Sequence, residues 1–394
     1  MTILRKIKAL LNPRTILNYH LLIKGIKSGE YAFQGPAWVQ IDLTNQCNNN
    51  CIGCWCNSPL LKEKQISPEQ KNKTLPARLV KDFIDEIHSM GTRRIIFSGG
   101  GEPFMHPSIL SIISHATGKG MECQIHTNLT LLDKKLILKL IDLKLGYLTG
   151  SLWAGTARTY VLTHPNRNEG TFYTIENALK FLASSKNEKH KPYVRLHNVI
   201  TNLNYRDTGA MVDFARNVKA DAVSFSLLDA IPSYTDSLLL SGQQRKELLG
   251  LCAILRKNGK RILFDFNEFM RRISASGMTN GEYDKDVVNA IPCYAGWLFA
   301  RLNANGTINS CLKSHRIPVG SIYDNRFAQI WNSEKQREFR KKTLCFMKDD
   351  PYFSLIGNNP YVTAGCWRGC DDLGLNIRTY RILRLIAPFL HLGK

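Results

Sequence analysis

Hydrophobic and polar positions follow two alternating periods along most of this chain. Short apolar runs typical of strands alternate with segments in which apolar residues recur every three or four positions, as on one face of a helix. The predicted strands span residues 37–44, 94–98, 122–128, 147–153, 193–200 and 222–228, and the clearest helices span 76–91, 107–119, 173–185 and 207–217. This alternation over about 190 residues predicts right-handed parallel units, and hence an α/β barrel or part of one.

Four cysteines are crowded into the segment that follows the first predicted strand. Three of them, Cys47, Cys51 and Cys54, have the spacing CxxxCxxC, and Cys56 follows closely. Thiolates hold iron–sulfur clusters, and three of them leave one iron of a 4Fe–4S cluster open. Taken alone, the spacing is also compatible with zinc or with chance.

A run of glycines follows the second predicted strand. It comprises Gly99, Gly100 and Gly101 and continues into Glu102 and Pro103. Barrels of this class build their sites from loops at the carboxyl ends of the strands. The cysteine segment and the glycine segment both occupy such positions, so we expect them to form one site.

With these two motifs the chain resembles the radical S-adenosylmethionine (SAM) superfamily. The resemblance implies a partial (β/α)6 barrel in which Cys47, Cys51 and Cys54 bind a 4Fe–4S cluster. SAM would chelate the open iron, and the segment Gly99–Pro103 would contact its amino group through backbone carbonyls, which glycine allows to approach closely.

The same resemblance extends more loosely to other cofactor contacts. Thr127 and Asn128, Ser151 and Asn202 follow the third, fourth and fifth strands, where relatives contact SAM. One departure concerns the position before the third cysteine, which is often aromatic in the family and is Gly53 here. Either Trp55 takes that role or the adenine contact differs.

Cysteines return in the last third of the chain. The pattern around them resembles the SPASM and twitch auxiliary-cluster domains, with a hairpin predicted from 297–302 and 307–311. Gly357 and Pro360 stand where a full SPASM domain has cysteines, so one auxiliary 4Fe–4S cluster is expected rather than two. The ligands implied by the resemblance are Cys293, Cys311, Cys366 and Cys370, with Cys345 as the alternative to Cys366.

These patterns predict four regions. They are basic amphipathic N-terminal helices (1–36), the barrel (37–285), a small α+β auxiliary-cluster domain (286–375) and a basic amphipathic C-terminal tail (376–394). Cys252 is predicted to be a helix-core residue, with a hydrogen-atom donor as the other interpretation. Both basic ends are interpreted either as helices on an anionic membrane or as helices packed against the barrel.

Composition narrows the partners without choosing one. The formal net charge of +21 favours an anionic partner. Eleven cysteines, with no secretory signal evident at the N-terminus, indicate metal or redox chemistry in the cytoplasm, with peripheral membrane contact as a further possibility. No apolar run reaches the roughly 18–20 residues of a membrane span.

The resemblance implies an oxidoreductase-like radical SAM enzyme, supplied with electrons by a flavodoxin or ferredoxin. Our main expectation is oxidation or epimerisation of a small anionic sugar, nucleoside or lipid-linked substrate. A SPASM-type peptide maturase is the first alternative, disfavoured because only 36 residues precede the first strand. A nucleic-acid-modifying enzyme and a non-enzymatic iron–sulfur protein are the others.

Overall fold

The computed structural model describes residues 13–186, 191–258 and 261–387, with the backbone alone at residues 13–16 and 258. The predicted helix over the first residues and the end of the C-terminal tail lie outside these ranges. Within the described part of the chain, no helix is long and apolar enough to cross a membrane.

The first six strands lie within the ranges that the sequence pattern predicts. The strands are β1 Trp38–Asp42, β2 Arg94–Ser98, β3 Glu122–Thr127, β4 Tyr147–Ser151, β5 Tyr193–Ile200, β6 Ala222–Leu227, β7 Leu263–Phe264, β8 Phe299–Leu302, β9 Thr307–Asn309 and β10 Gly320–Ser321. The first seven pair in sequence order and in parallel, which is the expected arrangement for successive β–α units.

Most of the helices pack against one face of this sheet. The helices are α1 Pro13–Ser28, α2 Pro68–Lys71, α3 Ala77–Ser89, α4 Ile109–Gly118, α5 Lys134–Asp142, α6 Ala157–Thr163, α7 Glu169–Ser185, α8 Thr208–Asn217, α9 Gly242–Asn258, α10 Phe266–Ser274, α11 Lys285–Ala290, α12 Ala295–Leu298, α13 Phe327–Ile330, α14 Glu334–Thr343 and α15 Leu373–Ile386. Apolar side chains of the strands and helices form one continuous core between the two layers.

The described part of the N-terminal region, residues 13–36, packs against the domain. Leu22 and Ile26 of α1 are 3% and 6% exposed and belong to the main core, whereas Leu17 is exposed. Residues buried in this way are not available to lipid, so this part of the chain favours the packed interpretation of the N-terminal helix.

The predicted auxiliary hairpin does not form a separate sheet. β8 and β9 are antiparallel, as expected, but β8 also pairs in parallel with β1, with Val39 opposite Ala300. The order of strands in the sheet is therefore β10-β9-β8-β1-β2-β3-β4-β5-β6-β7. The barrel sheet thus continues across the boundary that we predicted at residues 285 and 286.

Candidate functional site

The cysteine loop leaves the carboxyl end of β1, and its sulfur atoms accept backbone hydrogen bonds. Asn49 N donates to Cys47 Sγ, and the amides of Cys56 and Asn57 donate to Cys54 Sγ, each at 3.4 Å. Burial raises the pKa of the Cys47 thiol to about 11 and that of Cys51 well above its usual value. Thiols in this state need a bound cation to be held as thiolates.

The glycine segment packs directly on this loop. A Cβ at Gly99 would lie 1.9 Å from Asp42 Cγ, and one at Gly101 would lie 2.1 Å from the backbone oxygen of Gln46. Glu102 N also donates to that oxygen, at 2.8 Å. The glycines are therefore required first for contact between the two loops, while their contact with SAM stays a prediction.

Glu102 is held by the end of β3. Its carboxylate accepts hydrogen bonds from the Thr127 hydroxyl at 2.8 Å, from Asn128 N at 2.7 Å and from Phe104 N at 3.2 Å. The side chain is 2% exposed, and burial raises its pKa to about 7. Thr127 thus holds Glu102 in place. The side-chain amide nitrogen of Asn128 lies 3.9 Å from Cys47 Sγ.

The structure explains the glycine that precedes the third cysteine. A Cβ at Gly53 would lie 2.6 Å from Leu228 and 3.3 Å from the ring of Trp153. That ring donates to Ser151 Oγ at 2.9 Å, so Ser151 positions an aromatic side chain beside the loop. Sequence patterns alone did not single out Trp153, although it lies only two residues beyond Ser151.

Trp55 lies against the C-terminal part of the chain. Its ring centroid is 4.7 Å from that of His315, and the Arg301 guanidinium lies 5.5 Å from the same ring. Asn359 donates to the Trp55 backbone oxygen at 3.1 Å. An adenine contact by Trp55 stays a prediction, and the contacts made here join the cysteine loop to the auxiliary-cluster region.

Arg301 is the centre of this junction. It donates to Asp42 Oδ2 at 2.6 Å and to the Leu312 backbone oxygen at 2.6 Å, and it lies 2.8 Å from His315 Nε2. Both members of the ion pair are almost completely buried. Because Arg301 is on β8 and Asp42 ends β1, the pair links the strand before the cysteine loop to the segment around Cys311.

Asn202 lies at the carboxyl end of β5, beside another loop. Its side-chain amide donates to the Ser237 backbone oxygen at 2.7 Å, while its Oδ1 is buried and has no partner among the described residues. This free acceptor is compatible with the predicted cofactor contact. The neighbouring Asn204 is occupied with backbone groups of Thr201, Trp153 and Val199.

The inner face of the sheet, opposite the helices, is polar. His126 lies 3.3 Å from Ser98 Oγ and 2.7 Å from Gln124, and His197 contacts Ser224 and Ser226 at 3.0 and 3.1 Å. Burial lowers the pKa of both histidines to about 3, so both are neutral. This face can present neutral hydrogen-bonding groups to a substrate.

The structure brings four C-terminal cysteines around one small cavity. Cys293, Cys311, Cys366 and Cys370 line it. Cys345 does not, since its exposed thiol donates to the backbone oxygens of Lys342 and Met347. The geometry therefore favours Cys366 over Cys345 as a ligand, and the complete ligand set stays a prediction.

Two buried lysines border the same cavity. Lys313 forms an ion pair with Asp229 at 2.7 Å and donates to the Gly369 backbone oxygen, and Lys348 donates to the backbone oxygens of Ile291 and Phe346. Four thiolates would leave a 4Fe–4S cluster with net negative charge. Lys348 would offset part of that charge, whereas Lys313 is already paired and the carboxylates of Asp371 and Asp372 line the same cavity. Asn376 adds a hydrogen bond to Cys293 Sγ at 3.3 Å.

Three cysteines remain, Cys56, Cys123 and Cys252, and all three are buried. Cys252 is completely buried on α9 within the main core, which favours the core interpretation over a hydrogen-atom donor. Cys56 is 1% exposed, and its thiol is close enough to Arg301 and Asp42 for both charges to act on its pKa.

Both cysteine groups fit an iron–sulfur cluster by their donors. Each offers thiols without another assigned role, with amide groups directed at the sulfur atoms. Among the described residues, no three Cys, His, Asp or Glu side chains are arranged around a single metal ion. The fit therefore rests on the donor set and on its amide neighbours.

Replacing Cys366 with alanine is expected to remove most of the auxiliary iron. A reconstituted chain should carry about eight irons, and this variant about four to five, because a ligand has been lost. The Cys345→Ala variant is the matched control and should retain the full content by colorimetric iron assay. Equal loss from both variants would contradict the assignment of the fourth ligand.

Two family models match the chain. Residues 41–215 match the radical SAM superfamily, and residues 293–352 match the iron–sulfur cluster-binding domain called SPASM. The fold and the cofactor class expected from the sequence are thereby confirmed. Cys366 and Cys370 lie beyond the matched part of the SPASM domain.

The chain is also similar to individual proteins. It is 30% identical over 185 residues to the Fe-coproporphyrin III synthase of Methanosarcina barkeri, a match that covers 47% of this chain and 42% of that protein. It is 22% identical over 361 residues to the subtilosin biosynthesis protein AlbA of Bacillus subtilis, covering 90% and 71%. Among solved structures, SuiB of Streptococcus suis bound to SAM has a TM-score of 0.62 at 14% identity, covering 90% and 78%.

Proposed function

Because this chain carries a radical SAM domain followed by a SPASM domain, we propose that it removes a hydrogen atom from a peptide substrate with the radical formed from SAM. When bound, a cluster held by Cys47, Cys51 and Cys54 would supply the electron for reductive cleavage of SAM to methionine and the 5′-deoxyadenosyl radical. The protein supplies the position of the reacting groups and the exclusion of water.

The observation that carries the peptide assignment is the extent of the similarity to AlbA. That similarity covers 90% of this chain, against 47% for the synthase of higher identity and 80% for an AdoMet-dependent heme synthase of Oleidesulfovibrio alaskensis. AlbA is a bacteriocin biosynthesis protein, and SuiB, which has the same fold, has also been solved with its precursor peptide SuiA. These relatives support the peptide alternative better than the small or lipid-linked substrate that the sequence led us to favour.

The chain's own residues suit such a reaction. Cys47, Cys51 and Cys54 would hold the cluster at the mouth of the barrel, with Asn128 beside Cys47. The neutral His126 and His197 on the inner face would hydrogen-bond substrate amides without adding charge. The four C-terminal cysteines would hold the auxiliary cluster, with Lys348 beside them as a buried positive charge.

Mass spectrometry of fractionated cell extracts tests the substrate class. Active holoprotein with SAM and dithionite is expected to change the mass of a component in the peptide fraction, and the C47A/C51A/C54A variant should leave it unchanged. A change confined to the sugar, nucleotide or lipid fraction would overturn the peptide proposal. The radical SAM assignment would survive that outcome, since both classes need 5′-deoxyadenosine formation.

A further inference from the structure

A groove runs between the outer edge of the sheet and the C-terminal helix. Its volume is about 1380 Å³, and β7, α10 and α15 contribute to its walls. Its less exposed lining includes four apolar side chains, Leu263, Phe266, Ile291 and Ile377, together with the paired Glu268 and Arg271. The exposed lining is rich in arginine and includes Arg256, Arg378, Arg381 and Arg384.

The positive charge of this groove exceeds its negative charge, because five arginines line it against the two carboxylates of Asp265 and Glu268. A fifth arginine, Arg271, is paired with Glu268 and Asp284. Within the described ranges, none of the four exposed arginines has a carboxylate at ion-pair distance. Such a cluster attracts an acidic partner and orients it before contact.

The groove also follows the free edge of a sheet. β7 is the last strand in the sheet order, and β6 is its only strand partner in the described chain. An exposed strand edge offers backbone donors and acceptors to an extended peptide, which can bind by adding a strand. Leu263 lies on this strand and lines the groove.

β7 connects the groove to the inner face of the barrel. The Arg195 guanidinium lies over the Phe264 ring, 4.9 Å from its centroid, and also donates to Thr149 at 3.2 Å. Arg195 Nε is buried and has no partner among the described residues. A peptide lying along β7 would therefore pass beside the Arg195 guanidinium on the inner face of the barrel.

We propose that this groove binds an extended acidic segment of the peptide substrate, paired along β7 with its acidic side chains on the arginines. Side chains alternate along a strand, so acidic residues can meet the arginines while apolar ones meet the recessed lining. This inference rests on the proposed function. The 82% exposed Leu385 nearby would suit a membrane, but a recessed lining and a strand edge match a peptide better than a bilayer surface.

The probe is a fluorescein-labelled octapeptide of alternating glutamate and valine, measured by anisotropy with holoprotein. Changing Arg378, Arg381 and Arg384 to Glu should weaken binding by at least about tenfold, because charge attraction becomes repulsion. Changing Lys135, Lys139 and Arg158 to Glu is the matched control, with the same change in net charge at exposed sites outside the groove. The control should bind within about twofold of the native protein.

Two further probes separate the alternatives. An alternating glutamine–valine octapeptide should bind at least about tenfold more weakly, and N-methylation of alternate residues should weaken the acidic probe similarly, since strand pairing is lost. Equal weakening in the control variant would overturn the inference, as would binding by the groove variant at native affinity. Loss of binding to phosphatidylglycerol vesicles with unchanged peptide binding would assign the groove to a membrane instead.

The groove variant also separates this inference from the proposed function. It should keep its unfolding midpoint and its dithionite-dependent 5′-deoxyadenosine formation, because none of the three arginines belongs to the SAM site. The single variant Arg381→Glu provides the same test if the triple variant unfolds. A native protein that bound the peptide but formed no 5′-deoxyadenosine would overturn the function and leave the groove assignment standing.

Discussion

No 5′-deoxyadenosine is expected from a variant in which Cys47, Cys51 and Cys54 are all alanine, even with SAM and dithionite present. Apart from these three cysteines, the loop after β1 carries one further thiol, that of Cys56. It is buried beside Asp42 and Arg301. Without the three cysteines the cluster cannot be held, and the electron cannot reach SAM. Iron should fall from about eight to about four per chain, since the auxiliary cysteines remain.

Chromatography of the quenched reaction measures the nucleoside, and a colorimetric assay measures iron. Cys345→Ala is again the control, because its thiol is exposed and donates to the backbone oxygens of Lys342 and Met347. Continued nucleoside formation by the triple variant would refute the radical SAM chemistry. Loss of all iron would show instead that the two cysteine groups load together.

The second large effect is expected at the buried ion pair of Asp42 and Arg301. Changing Arg301 to Met leaves a buried carboxylate whose remaining side-chain partner is Gln40, at 2.9 Å. An uncompensated buried charge of this kind costs about 3–5 kcal/mol in the free energy of unfolding. Chemical denaturation of the holoprotein measures that loss.

Two variants show whether charge is the cause. Asp42→Asn combined with Arg301→Met removes both charges and should recover most of the lost stability. Arg94→Met breaks a partly exposed pair with Glu122, at 2.6 Å, and should cost no more than about 1 kcal/mol. A similar loss in R301M and R94M would contradict the role we assign to burial.

Much of the fold could be predicted from local patterns. The bounds of β2 and β5 agree with the sequence analysis because each is a short apolar or alternating run bounded by turn residues. The cysteine loop was placed correctly after β1 for the same reason. Hydrophobic periodicity shows which face of the sheet each side chain occupies. The positions of these strands depend mainly on that pattern of buried and exposed faces.

The contacts between distant segments could not be predicted in this way. A hairpin pattern does not reveal which strand its outer edge will meet, so the pairing of β8 with β1 was missed. Nor does any local signal join Asp42 to Arg301, 259 positions apart. Trp153 fills the space beside Gly53 only because the ends of β4 and β6 converge there.

The pairing of β8 with β1 also bears on how this protein can be taken apart. The boundary at residues 285 and 286 divides the chain by motif, but a cut there would remove a hydrogen-bonded neighbour from the strand that leads into Cys47. The fragment 37–285 would expose β1 as an adhesive edge and lose the counter-charge of Asp42. The two cluster-binding regions therefore share one sheet. Transferring either region to another enzyme would require a new partner strand for β1 and a new counter-charge for Asp42.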